Sequence, residues 1–207
     1  MPRRAIPFIP NQYYHFYNRG NNRQTVFFER DNYLYFLRGV RKYLREHLDI
    51  LVYCLMPTHY HFLGRVKQQT SEVSKTSEVS VSRSVSLAMQ KFGISNTKAI
   101  NKRFSRVGAL FQGQFQSKPI TAYSHLLSLC VYIHANPVKD GLVTKPEDWE
   151  FSNYLEWMGI RNGILVNREF NMEHFGAPEV YKELVMEYIR TRYMPDVFWD
   201  YLKGMDD

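Results

Sequence analysis

Between Asp49 and Val66 two apolar runs are separated only by Pro57-Thr58. The spacing predicts two buried strands, over 49–56 and 59–66, folded back on each other through a very tight turn. Such a hairpin is not stable alone and needs more strands and a covering layer. The neighbouring sequence supplies both. Tyr13 to Arg19 reads as a strand ended by Gly20-Asn21-Asn22. From about Arg30 to His47, Tyr33, Phe36, Leu37, Val40, Tyr43 and Leu44 recur at helical spacing, with Asp31 available to cap or charge the first turn. A helix is predicted from about Ser82 to Phe92, interrupted by Gly93-Ile94-Ser95-Asn96 and resumed from a cap at Asn96 or Thr97. Alternation over Leu110–Ile120 predicts a fourth strand, and a helix follows from about Tyr123 to Ala135, stopped by Asn136-Pro137.

The order βαββαβα predicts an α+β, ferredoxin-like (RRM-like) split βαβ sandwich, an antiparallel sheet with helices on one face. A C-terminal helical extension follows. After Trp149 the sequence is turn-rich, then helical from about Pro178 to Tyr193 and again near Val197 to Lys203. The expected domains are 1–155 and 156–207. Thr70–Lys75 is repeated as Thr76–Val81 with five of six positions matching, which predicts a flexible loop over about 67–82.

No apolar run is long enough to span a bilayer, and the basic start Met1-Pro2-Arg3-Arg4 is not followed by the apolar stretch of a secretory signal. Cys54 and Cys130 sit in apolar settings and are expected as buried free thiols of a reducing cytoplasm. The net charge is +7, but from Val79 to Lys139 there is no Asp or Glu, and that block alone is +8. A long block without acids points to a face that meets phosphates. Its Arg83, Lys91, Lys98, Lys102, Arg103, Arg106 and Lys118, with Arg19 and Arg65 at strand ends, are the expected phosphate contacts, and charge alone does not separate DNA from RNA or from an anionic membrane. Tyr17, Phe111 and Phe115 are candidates for stacking on bases.

His59 and His61 stand two apart on a predicted strand, so both project from one face, with Tyr60 on the other. Two imidazoles on a rigid strand are two thirds of a metal site, although spacing alone favours two half-buried strand histidines. Tyr132 and Asn136 are at i, i+4 and share a helical face if the helix persists that far. Asn136, preceding Pro137, also suits a helix C-terminal cap. His134 lies off that face and is expected to be structural; His125, two turns before Tyr132, is a weak candidate for contact with a nucleic-acid partner.

These pieces together resemble the HUH-type single-tyrosine transposases, in particular the REP-associated tyrosine transposase branch. The matching segments are Tyr14–Gly20, Leu55–Leu63, Gly108–Gln112, Tyr132–Val138 with Gly141–Val143, and Trp149–Tyr154, spread in order over 13–154. Tyr60 fills a middle position that is usually apolar in the family. The resemblance implies a metal-dependent single-stranded DNA endonuclease and strand transferase acting at hairpin-forming or repeat DNA through a covalent 5′-phosphotyrosine intermediate. It implies Tyr132 as nucleophile and His59, His61 and Asn136 as ligands of Mg²⁺ or Mn²⁺. Two imidazoles and one amide leave positions open on such a cation. The implied partner is single-stranded or hairpin DNA, without a membrane; a homodimer stays open, since family members occur in both states. The implied setting is a prokaryotic cytoplasm, in association with the nucleoid. A non-catalytic nucleic-acid-binding regulator and a replication- or relaxase-type nickase are the rival readings. The duplication and the tail after Tyr154 match no family motif.

Overall fold

The computed structural model describes residues 6–68, 78–165 and 167–203. Strand β1 (Tyr13–Arg19), helix α1 (Arg30–Leu44), strands β2 (Leu48–Met56) and β3 (His59–Val66), helix α2 (Glu78–Arg103) and strand β4 (Gln116–Ile120) follow in that order. The sheet order is β2-β3-β1-β4, the ferredoxin-like arrangement expected from the sequence. β1 and β3 are antiparallel, with Phe16 opposite Phe62, Tyr17 opposite His61 and Arg19 opposite His59. Pro57-Thr58 makes the hairpin turn. The Pro57 carbonyl accepts from Val26 N (2.8 Å) and the Thr58 carbonyl from Gly20 N (2.7 Å). Gly20 sits so close to the Gln24 backbone that no side chain fits there.

One face of the sheet is apolar. Phe16 stacks on Phe62 at 4.9 Å, Tyr60 meets Phe36 of α1 at 4.8 Å, and Phe36 meets Phe92 of α2 at 4.6 Å. Gly39 is the point of close approach between the two helices, its missing side chain leaving room for the Phe92 ring. α1 is capped at Glu29, with Asp31 charging its first turn: Asn32 Oδ1 accepts from Glu29 N (3.1 Å) and Phe28 N (3.0 Å). It ends at Leu44, and residues 45–47 turn.

Several boundaries differ from expectation. α2 runs unbroken through Gly93, because Val81, Val85, Met89, Phe92, Asn96 and Ile100 form one buried stripe and the open space beside Gly93 costs only helix propensity. The last residues of the duplication are therefore helical; residues 69–77 lie outside the described residues. β4 starts at Gln116, since residues 110–113 cross the end of β1 through Asn21 N to the Leu110 carbonyl (2.9 Å) and Gln112 N to the Arg19 carbonyl (2.9 Å).

By packing, the chain forms two compact units: residues up to 50 with 55–119, and 51–54 with everything from 120 onward. This division falls at a different place from the 155/156 boundary drawn from motif coverage. The second unit holds α3 (Tyr123–Lys139), α4 (Tyr154–Trp157), α5 (Arg168–Phe175), α6 (Pro178–Thr191) and α7 (Asp196–Leu202). α4 and α5 occupy what reads as turn-rich sequence. α5 starts on the Asn167 side chain, which accepts from Phe170 N (2.9 Å), and stops at Gly176, whose φ is 70°. In β2, Tyr53 N donates to Asn153 Oδ1 (2.7 Å) and Asn153 Nδ2 donates to the Leu51 carbonyl (2.8 Å). No helix among the described residues is long and apolar enough to cross a membrane.

Candidate active site

In the first unit, strand alternation sends Tyr60 and Phe62 toward α1 and His59 and His61 to the opposite face. Both histidines are buried, at 9% and 2% exposure, and their ring centroids lie 5.0 Å apart. Each is held at Nδ1: His59 by Thr58 Oγ1 at 2.9 Å, His61 by His15 Nε2 at 3.0 Å. Holding Nδ1 fixes the ring and turns Nε2 of each imidazole into the natural ligand atom. Tyr17 stacks on His61 at 6.1 Å and lies tilted against His15 at 5.0 Å. Burial, reinforced by the Lys118 charge, pushes His15 down to about 3, so it is a neutral hydrogen-bond partner. Burial also lowers the Lys118 ammonium. Sequence reasoning passed over His15; only the β1–β3 register brings it beside His61.

In the second unit, α3 does not stop at Asn136-Pro137. It continues to Lys139 and closes through Gly141 N to the Val138 carbonyl (3.1 Å) and Leu142 N to the Pro137 carbonyl (2.9 Å), with Gly141 at φ 71°. That is a Schellman ending, and it leaves Asn136 inside the helix rather than at its cap. Tyr132 and Asn136 thus share a face one turn apart. Each is 1% exposed. Among the described residues neither polar atom of the Asn136 amide has a hydrogen-bond partner. Lys139 Nζ donates to Tyr132 Oη at 3.1 Å and lies 4.6 Å from the ring centroid. Seven residues is two helical turns, the signal by which Lys139 was detectable in the sequence. The Tyr132 ring packs against Tyr188 of α6 and Phe198 of α7, at 6.4 and 6.1 Å.

His134 is structural. Its Nδ1 meets Tyr181 Oη at 2.7 Å and its Nε2 meets Asn153 Oδ1 at 2.9 Å. Burial lowers it to about 4 against the opposing hydrogen bond to Asn153 Oδ1. His125 lies against Phe198 and Tyr201 of α7. Cys54 and Cys130 are buried thiols outside any disulfide, raised well above the ordinary range by burial.

The expected DNA-contacting cations divide. Arg65 binds Asp49 at 3.1 Å and Arg103 binds Glu29 at 3.1 Å. Arg106 donates to Gln24 Oε1 at 2.6 Å and covers the Phe28 ring at 5.5 Å. Arg19 and Lys118 are half-buried on β1 and β4, Arg19 opposite His59. Arg83, Lys91, Lys98 and Lys102 are exposed along α2. Phe111 is buried against Tyr60 at 5.8 Å and belongs to the core.

Among the described residues no three His, Cys, Asp or Glu side chains cluster as a metal centre. A cation held by the two histidines needs oxygen ligands of another kind.

No protein-family model matches the chain, and no curated protein matches it. Among solved structures it is similar to a REP-associated tyrosine transposase bound to a REP hairpin. The TM-score is 0.55 with 18% sequence identity, covering 81% of this chain and 98% of that one. The fold is that of this transposase. Weaker likenesses are to a bacterial tRNA(His) guanylyltransferase-like protein in complex with GTP and with ATP. Their TM-scores are 0.40 and 0.39, with identities of 6% and 8%. They cover 65% and 76% of this chain, and 64% and 72% of those chains.

Proposed function

We propose that the chain is a DNA strand-cleaving and strand-joining enzyme of the HUH transposase type, using Tyr132 as nucleophile on single-stranded or hairpin-bearing DNA. His59, His61 and Asn136 are the ligands we assign to a Mg²⁺ or Mn²⁺ ion. The observation that carries this reading is the buried Asn136 amide, unpartnered at both atoms, one turn from Tyr132. A helix interior does not keep such a group cheaply. Likeness of fold to a transposase captured on a REP hairpin supports the same class of substrate.

In this reading the Tyr132 oxygen attacks a backbone phosphorus and the P–O3′ bond breaks. The products are a 5′-phosphotyrosyl link and a free 3′-hydroxyl, which reverses the step to join strands. A phenol is weakly nucleophilic at neutral pH, with an ordinary pKa of about 10. Lys139, donating to Oη, favours the negative charge that develops there as the proton leaves. Thr58 and His15 hold the two imidazoles in one orientation. When bound, the divalent ion polarises the phosphate and stabilises charge on the leaving oxygen.

The test is an SDS-stable protein–DNA adduct on labelled hairpin-bearing single strands with Mg²⁺ or Mn²⁺. Wild type is expected to form it, and chelation or Tyr132→Phe to abolish it. Adduct formation by Tyr132→Phe sinks the assignment of the nucleophile. The packing of the Tyr132 ring beneath Tyr188 and Phe198 favours a second reading, a non-catalytic nucleic-acid binder. Binding without adduct on every such substrate selects it.

A further inference from the structure

The outer surface of the α1–α2 layer carries charge that the candidate active site does not use. Along α2, Arg83, Leu87, Lys91, Ile94, Lys98 and Lys102 are exposed, at spacings of four, four, three, four and four residues. That spacing is one helical stripe, about 28 Å long at 1.5 Å per residue. Beside it, α1 and the turn after it expose Arg38, Arg41, Lys42 and Arg45. None of these eight cations is in an ion pair among the described residues. The only exposed acids of α1 and that turn, Asp31 and Glu46, lie at its two ends.

The seam between the helices is polar as well. Tyr35 Oη lies 3.2 Å from Ser95 Oγ, and Lys42 Nζ lies 5.1 Å from the Tyr43 ring centroid. The Tyr43 phenol is held below its ordinary range by its Ser95 hydrogen bond, with the Lys42 and Lys91 charges adding.

The sheet separates this surface from His59 and His61, which project from the face opposite the helices. We propose that the outer α1–α2 surface is a second nucleic-acid contact that holds the phosphate backbone of a duplex segment. The identity of the partner rests on the DNA reading above. The stripe is straight and rigid and spans about eight base pairs of duplex at 3.4 Å each. Between its cations it presents Leu87 and Ile94, not the stacking rings that an unpaired strand requires. The basic block therefore serves two places, since Lys118 lies near the histidines and the α2 cations lie behind the sheet.

The experiment measures binding of a blunt duplex, longer than the stripe and without unpaired bases, as a function of salt. The variant combines Arg38→Gln, Arg41→Gln, Lys42→Gln and Arg45→Gln, exposed helix and turn positions where glutamine keeps helix propensity. Circular dichroism and thermal unfolding check that it folds. The slope of log K against log salt is expected to become shallower by about 3 to 4. A fourfold rise in salt then weakens wild type about a hundredfold more than the variant. Lys91→Gln with Lys98→Gln, made separately, is expected to reduce the slope by about 2. Unchanged slopes in both variants overturn the proposal. So does loss of binding to phosphatidylserine vesicles with duplex binding intact, which assigns the surface to a membrane. The adduct assay is read independently: a chain that binds duplex in this way yet never forms the adduct overturns the proposed chemistry and leaves this surface standing.

Discussion

Among the described residues two buried asparagines carry amides with no hydrogen-bond partner at either atom, Asn136 on α3 and Asn96 on α2. A buried polar group left unmade costs about 1–3 kcal/mol, so each position is a stability defect unless something compensates it. The two differ in surroundings: Asn96 sits in an apolar stripe, Asn136 one turn from Tyr132. Asn96→Leu is expected to stabilise the chain by about 1–3 kcal/mol in urea unfolding without affecting metal affinity. Asn136→Leu is expected to stabilise the metal-free protein similarly and to abolish Mn²⁺ binding by calorimetry. Retained Mn²⁺ affinity in Asn136→Leu removes Asn136 from the ligand set.

His15 is argued in the same way. For His61 Nε2 to ligate, its proton must sit on Nδ1 and point at His15 Nε2, 3.0 Å away. His15→Phe is expected to weaken Mn²⁺ binding about 10- to 100-fold, with His15→Gln recovering part of the loss through its amide oxygen. In the metal-free protein, ¹⁵N NMR of the His61 ring reads the Nδ1–H tautomer directly. A tautomer unchanged in His15→Phe refutes the positioning role. At this scale the sequence exposed what depends on local periodicity: His59 with His61 by alternation, and Tyr132 with Asn136 by helical spacing. His15 was hidden because its partner is set by cross-strand register, 46 residues away.

At the level of elements, misjudged boundaries share one cause: tertiary burial outweighs a local breaker. Gly93 does not end α2 because buried residues continue on both sides of it. Pro137 does not end α3 because it lies within the last turn, where a Schellman ending at Asp140-Gly141-Leu142 satisfies the remaining carbonyls. α5 was visible in principle from Asn167 and Gly176 at its two ends, but its short apolar pattern was too weak to stand out. The edge strand β2 shows an element completed by a side chain. Asn153 bonds the backbone at Tyr53 and Leu51 and also meets His134 Nε2. Bare strand edges invite mispairing, and an amide that imitates a neighbouring strand closes this one. Asn153→Ala leaves three buried groups unmade and is expected to cost about 3–5 kcal/mol in urea unfolding. A loss below about 1 kcal/mol shows that water replaces those bonds without penalty.

At the scale of the whole molecule, the sheet order and the two-layer first unit were legible because strand and helix alternate in sequence with short connections. The distribution of charge was legible only as a sum. Counting acids located a basic block, but a sheet has two faces, and the block proves to be divided between them. The proposed ion gives a direct test at this scale. His59 and His61 belong to the first unit and Asn136 to the second, while all three tryptophans, Trp149, Trp157 and Trp199, belong to the second. Tryptophan fluorescence therefore follows unfolding of the second unit alone. An ion bound only by folded protein stabilises it by about 2.7 kcal/mol at one hundred times its dissociation constant. Mn²⁺ is expected to shift the fluorescence-detected transition by about that amount, and His59→Ala, a change in the first unit, to remove the shift. If the Mn²⁺ shift survives in His59→Ala, the ion is held within the second unit by other groups, and the assignment of the histidine pair fails.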